Sequence, residues 1–433
     1  MSHDIERPTD ITVPATSLWA KMPLFAGVAG VAGTGFTVAM MFGEHKERAF
    51  FSYLFAFALV LSIVLGALAF VLIQHATRAG WSAVVRRVAE TVMATVPLFA
   101  LLFLPIALLG FHDLYPWSHE TDKFLEAKRW WLGGDMGNGS GSKFYFRAVI
   151  FFGIWTLLSQ LLYRWSLQQD TLGDNKEARN AITRKLWVLS AGGIFLYALS
   201  QSFAAVDWLM SLQPHWYSTM YGVYFFAGSM IGFYAFLALV CMSLQKHGMM
   251  AKAITAEHYH DIGKFSFGHT IFWAYIAFCQ FMLIWYANIP EETEYYMMRM
   301  EGGWNRISLI LPLVNFFIPF FVLLSRHAKR NRTVLMVASI YLLFVHALDL
   351  YWAVMPNVGA HGEEPATAAE GARQIGEAVA VHGPHFSIAL VDVTALVGIG
   401  GLFLAAFAFL LARNKVICIG DPRLDESLRH ENY

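Results

Sequence analysis

Apolar residues in this chain come in long blocks separated by more polar connections. Ten such blocks fall at roughly 23–41, 49–73, 89–111, 144–166, 186–206, 217–243, 267–288, 307–325, 333–353 and 387–411. Each has about the length of helix needed to cross a hydrocarbon core of about 30 Å. The pattern predicts an all-α polytopic membrane protein, with residues 1–433 forming one integral membrane domain. Two blocks contain paired prolines, Pro97 with Pro105 and Pro312 with Pro319, which predict kinks rather than breaks. Gly398, Gly400 and Gly401 in the last block predict close helix contact.

One block departs from the apolar pattern. Residues 333–352, TVLMVASIYLLFVHALDLYW, carry His346 and Asp349 well inside the span. Three residues apart, they share a helical face at about 5–6 Å. Ionisable groups at membrane depth cost roughly 2.5–3.5 kcal/mol on insertion scales, so they face a bundle interior or a wet cavity and mark function by default. Counting from residue 333 at about 1.5 Å per residue puts His346 about 20 Å and Asp349 about 24 Å from the inner face. Asp392, about 8 Å below the outer surface in a tenth span starting near 387, comes to a similar level. The expectation is one buried polar cluster of His346, Asp349 and Asp392. Asp207, Glu291 and Glu292 stand at its outer mouth, ending the fifth and seventh spans. Carboxylates and a histidine in a chain are what proton relay requires, because each can take up and release a proton. The alternative is a set of buried polar contacts that only pin helices together.

Composition sharpens the class. Of 433 residues 57% are hydrophobic and 14% charged, where a soluble chain would carry about a quarter charged. The formal net charge is zero, which gives no reason to expect a nucleic-acid partner. The polar opening MSHDIERPTD lacks a basic signal-peptide region, so the first span is expected to remain as an anchor. Arginine and lysine gather in alternate connections: Arg78, Arg86 and Arg87; Lys176, Arg179, Arg184 and Lys185; Lys246, Lys252 and Lys264; Arg326, Lys329, Arg330 and Arg332. The positive-inside rule then places both termini in the cytoplasm and the long loops 112–143 and 354–386 outside. Residues 78–87, RAGWSAVVRR, read as a short interfacial helix with its arginines at the lipid head groups.

The cysteines, Cys241, Cys279 and Cys418, are isolated, so neither a covalent haem motif nor an iron–sulfur run is present. His346 is the one clearly interior histidine in this reading, with His45, His75 and His269 at span ends, and a bis-histidine haem has no partner pair. Loop histidines His361, His382 and His385 have no standard metal spacing. Spans two to five lack interior His, Asp or Glu, with Glu90 and Asp207 at span ends.

Three stretches carry a family resemblance: SQSFAAVDWLMSLQPHWYSTMYGVYFFAGSM at 200–230, FCQFMLIWYANIPEETEYY at 278–296 and LVDVTALVGIGGLF at 390–403. They resemble the smaller NrfD-like, polysulfide-reductase-type membrane subunit of bacterial alternative complex III, a respiratory quinol:cytochrome c oxidoreductase. The likeness runs through essentially all ten spans. It implies two four-helix bundles, spans 2–5 and 6–9, flanked by spans 1 and 10, in the bacterial inner membrane. It further implies a chain with no redox metal of its own and quinol or quinone as a compatible ligand; with the buried His346, Asp349 and Asp392, the expected roles are assembly and a proton-conducting path. Implied partners are a larger NrfD-like sister subunit, an iron–sulfur subunit, c-type cytochrome subunits carrying haem c, small membrane anchors, lipids and a terminal oxidase. Two rival functions remain: a subunit that itself binds and oxidises quinol, and a purely structural scaffold.

Overall fold

The computed structural model describes residues 8–119, 123–132, 141–359 and 386–432. Ten of its helices are long and apolar enough to cross a membrane, and no strand occurs among the described residues. The chain is an all-α, multi-pass membrane protein. The helices are α1 (Leu18–Met40), α2 (Lys46–Ala76), α3 (Ala83–Leu108), α4 (Ser142–Asp170) and α5 (Lys176–Trp208). They continue with α6 (Tyr221–Lys246), α7 (Ala256–Ala287), α8 (Trp304–Leu324), α9 (Arg332–Val354) and α10 (Leu390–Arg413). The glycine-rich turn at 133–140 and His361, His382 and His385 lie outside the described residues.

Sequence explains where each helix sits. α2 is apolar on every face and is buried nearly all round, as such a helix must be. It packs against α3, α5, α6, α9 and α10. α6 meets α5, α7 and α9; α4 lies on α3 and α5; α8 lies on α7 and α9. α1 packs on α10 through small residues. A Cβ at Gly33 would stand 2.7 Å from the Gly398 nitrogen, and one at Gly401 2.8 Å from the Gly30 nitrogen, so the backbones touch. Gly400 faces open space instead.

The prolines act as expected of residues that lack an N–H. α3 is divided into Ala83–Met93, Val96–Leu102 and Leu104–Leu108. α8 has a π-helical segment, Leu313–Phe317, after Pro312, the wide turn that a broken hydrogen-bond ladder allows.

The two chain ends meet on one side of the molecule, where the Val416 N–H donates to the Ile11 carbonyl at 2.8 Å. The tail beyond α10 lies across helix ends there. Gly420 N–H donates to Asp170 at 2.8 Å, and Ser427 Oγ to the Trp81 carbonyl at 2.6 Å. His430 Nε2 stands 2.5 Å from Asp261.

Two expectations fail here. Residues 78–87 are not an interfacial helix: from Ala83 onward they open α3, with Arg86 and Arg87 only 3% and 0% exposed. Their charges are matched by buried carboxylates that the hydropathy pattern does not reveal. His269 does not end a span either, because α7 starts at Ala256, where Thr255 accepts the Glu257 N–H. The charged first turns of α7 had concealed that extension.

Candidate functional site

α9 starts where the Asn331 side chain accepts the Thr333 and Val334 N–H groups, at 3.0 and 3.2 Å. Helical periodicity then brings His346 and Asp349 together to the face that meets α6. Both are 2% exposed. Opposite them α6 carries Gly228 and Gly232, one turn apart. A Cβ at Gly232 would lie 2.7 Å from His346 Cδ2; one at Gly228 would lie 3.0 Å from His346 Cε1 and 3.8 Å from Asp349 Oδ2. Absence of side chains at these two positions is what lets the imidazole lie against the α6 backbone.

Three helices complete the site. Ser62 of α2 places its Oγ 2.8 Å from His346 Nε2. Tyr224 of α6 donates its hydroxyl to Asp349 Oδ1, and Trp273 of α7 donates its indole N–H to Oδ2 at 3.0 Å. Among the described residues neither a cation nor His346 is hydrogen-bonded or ion-paired to Asp349. Buried charges are ordinarily paired with opposite charge. Asp349 instead has two neutral donors, an arrangement that supports either protonation state without moving a partner away.

Asp392 belongs to a second site. α10 starts at Leu390, later than the hydropathy suggested, so Asp392 lies in its first turn and accepts the Ala389 N–H at 2.8 Å. Its other partners are Ser52 Oγ at 2.5 Å, Tyr351 hydroxyl at 2.8 Å and Arg48 Nη2 at 2.7 Å. Arg48 also donates to Ser387 Oγ at 2.8 Å. This carboxylate, 4% exposed, is an ion-paired clamp joining α2, α9 and α10. No hydrogen bond or ion pair among the described residues links it to His346 or Asp349, so the single cluster expected from depth counting resolves into two.

The other three candidate residues divide further. Asp207, at the end of α5, is held by Arg147 of α4 at 2.5 Å and by the Trp131 indole at 3.0 Å. It lines a cavity of about 240 Å³ with Trp131, Ser211, Trp216 and Tyr217. Glu291 is exposed and Glu292 half-buried, both in the first turn of the short helix Pro290–Met298, and neither carboxylate is hydrogen-bonded or ion-paired to another described residue. In the same helix burial pushes the Glu294 carboxyl above its ordinary value, partly offset by His215.

Sequence reasoning missed several contributors. Ser62, Tyr224 and Trp273 look like ordinary span residues, although the G-x-x-x-G spacing of Gly228 and Gly232 was a signal of close approach. Arg48 was hidden at a span end. Arg299, 1% exposed, is held by the carbonyls of Tyr295, Trp352 and Ala353 and stacks on the Tyr295 ring at 3.5 Å. No protein-family model matches the chain, and no curated protein matches it.

Proposed function

We propose that this chain is a membrane subunit of a bacterial respiratory quinol:cytochrome c oxidoreductase of the alternative complex III type. In this reading it lies in the inner membrane with both termini cytoplasmic and has no redox centre of its own. The larger NrfD-like sister subunit, the iron–sulfur subunit, c-type cytochromes and small anchors surround it. The motifs at 200–230, 278–296 and 390–403 support the family.

Its role is assembly together with a proton-conducting path through Asp349. The observation that carries this is a carboxylate 2% exposed, held by Tyr224 and Trp273 and by no cation among the described residues. Ionised, it accepts both donors; protonated, it passes its proton on through a hydroxyl or water. His346 and Ser62 extend the polar contacts from α9 to α2. Asp392 has a different part, because its arginine and three further donors hold it as a fixed ionic clamp.

Asp349→Asn keeps the shape of the side chain while abolishing its protonation. In the assembled complex, reconstituted in vesicles, it is expected to stop proton movement or to slow electron transfer against a membrane potential. Unchanged turnover with unchanged proton release overturns the relay and leaves the scaffold reading. Visible spectra of the isolated subunit test the cofactor assignment, and a Soret band that stays with this chain overturns it.

A further inference from the structure

Past Asp349, toward the end of the bundle away from the chain termini, the interior is closed by packed rings and one cation. Tyr221 stands one turn before Tyr224 on α6, and the two rings lie 6.2 Å apart. Trp216 packs on Tyr221 at 5.9 Å and stacks on Tyr295 at 3.9 Å, and Tyr295 meets Trp352 of α9 at 5.9 Å. All four rings of this layer, Trp216, Tyr221, Tyr295 and Trp352, are at most 8% exposed. Three of them belong to the motif stretches 200–230 and 278–296.

Arg299 is seated on the layer, its guanidinium carbon 3.5 Å from the centre of the Tyr295 ring and 5.0 Å from that of Trp352. Nε donates to the Trp352 carbonyl at 3.2 Å and Nη2 to the Ala353 carbonyl at 2.8 Å. Nη1 donates to the Tyr295 carbonyl at 2.8 Å and to Gln213 Oε1 at 3.2 Å. Trp352 and Ala353 follow Asp349 by three and four residues, about 5 Å of helix rise, so the cation stands one turn past the acid.

Every one of these acceptors is neutral. Buried charges are ordinarily matched by opposite charge, yet among the described residues no carboxylate is hydrogen-bonded or ion-paired to Arg299, which is 1% exposed. The nearest acids in sequence, Glu294 and Glu301, are only partly buried, where solvent and salt screen them. A fixed positive charge in a dry layer is screened far less, and it repels a proton arriving on water. Arginine also stays protonated in proteins, so the charge cannot be removed by the proton's own passage.

A proton route open at both ends would collapse the gradient that respiration maintains. We propose that Arg299, on the ring layer of Trp216, Tyr221, Tyr295 and Trp352, is the electrostatic barrier that closes the far side of Asp349 against passive proton flow. Arg299 does not touch the carboxylate; it acts through its field and through the rings it holds. The inference rests on the proton-path reading of Asp349 and adds to it the side on which the path is shut.

Passive proton entry into vesicles containing the purified complex tests it, driven by a potassium diffusion potential with no quinol present. Arg299→Gln is expected to raise the leak at least tenfold, and the double variant Arg299→Gln with Asp349→Asn to return it to the parent value. Arg299→Lys keeps the charge and should keep the parent leak, although the planar fork is lost. An unchanged leak in Arg299→Gln overturns the barrier. A leak that persists in the double variant, or that is as large in Arg299→Lys, also overturns it, because loosened packing then accounts for the passage. Should Arg299→Gln fail to assemble, Gln213→Glu sets a carboxylate against the same guanidinium and neutralises it in place; the leak must rise, and an unchanged value overturns the barrier. Failure of the path reading looks different, since turnover-linked proton release is then normal in Asp349→Asn alone, whatever the leak of the Arg299 variants.

Discussion

Replacing Gly232 by alanine puts one methyl group where the His346 ring lies. Built on the existing backbone, that Cβ falls 2.7 Å from His346 Cδ2 and 3.3 Å from Ile63 Cγ1. The ring cannot simply turn aside, because Nε2 is fixed at 2.8 Å from Ser62 Oγ and Gly228 closes the other edge. Three effects compete. Alanine favours a helix over glycine by about 1 kcal/mol. Overpacking a filled interior costs roughly 1–3 kcal/mol. Losing the Ser62 hydrogen bond costs about 1 kcal/mol more. The costs exceed the gain, and Gly232→Ala is expected to be destabilised by roughly 1–3 kcal/mol. Gly192→Ala is the control, since a Cβ there meets nothing within 4 Å, and it should be neutral or slightly stabilising. Thermal unfolding of both variants in the same detergent decides the matter. Equal midpoints for Gly232→Ala and Gly192→Ala would refute the claim that His346 is seated against a bare α6 backbone.

Other outcomes follow from the remaining contacts. Arg48→Ala leaves Asp392 buried without its cation and should destabilise the fold by about 3 kcal/mol, the lower end for a broken buried pair because Arg48 is 21% exposed. Arg48→Ala stability within error of the parent would argue against the clamp. Arg299→Lys loses the planar fork that reaches three carbonyls, and a drop of about 1–3 kcal/mol in chemical unfolding is expected. For Asp421, burial alone would raise the carboxyl, but the Arg86 guanidinium and the Arg423 N–H outweigh it and hold it below its ordinary value. A lowered carboxyl stabilises above its unfolded value, about 3.9, and that stability is lost as pH falls through the folded value. The protection of amides 414–430, taken relative to their intrinsic exchange rate at each pH, should therefore fall in acid below pH about 4 and hold in mild alkali, and the reverse order would contradict it. Finally, an impermeant maleimide should reach Asn305→Cys from the outer side alone and Asp425→Cys from the cytoplasmic side alone; the opposite pattern would invert the topology.

The apolar blocks determined the class by themselves, because a backbone in hydrocarbon must satisfy its own hydrogen bonds, and about twenty apolar residues in a row have helix as the simplest way to do so. His346 and Asp349 were legible for the same reason: a charge inside such a block stands out against its cost. What lay at the block ends was not legible. Arg48, Asp392 and Glu90 sit within a turn or two of where hydropathy fades, and there a residue's depth depends on where the helix starts and on which neighbour covers it. Arg86 and Arg87 illustrate this well, since they have the look of head-group arginines yet are 3% and 0% exposed, enclosed by Asp170 of α4 and Asp421 of the tail.

Pairing was likewise a tertiary decision. Proximity along α9 placed Asp349 beside His346, yet its hydrogen-bond partners, Tyr224 and Trp273, come from α6 and α7. Asp392, similar in estimated depth, belongs to Arg48 on α2. Sequence period fixes which face of one helix a side chain shares. Which side chain from another helix meets it follows from crossing angles and from small residues such as Gly228 and Gly232 that allow close approach, and these exist once the helices have packed.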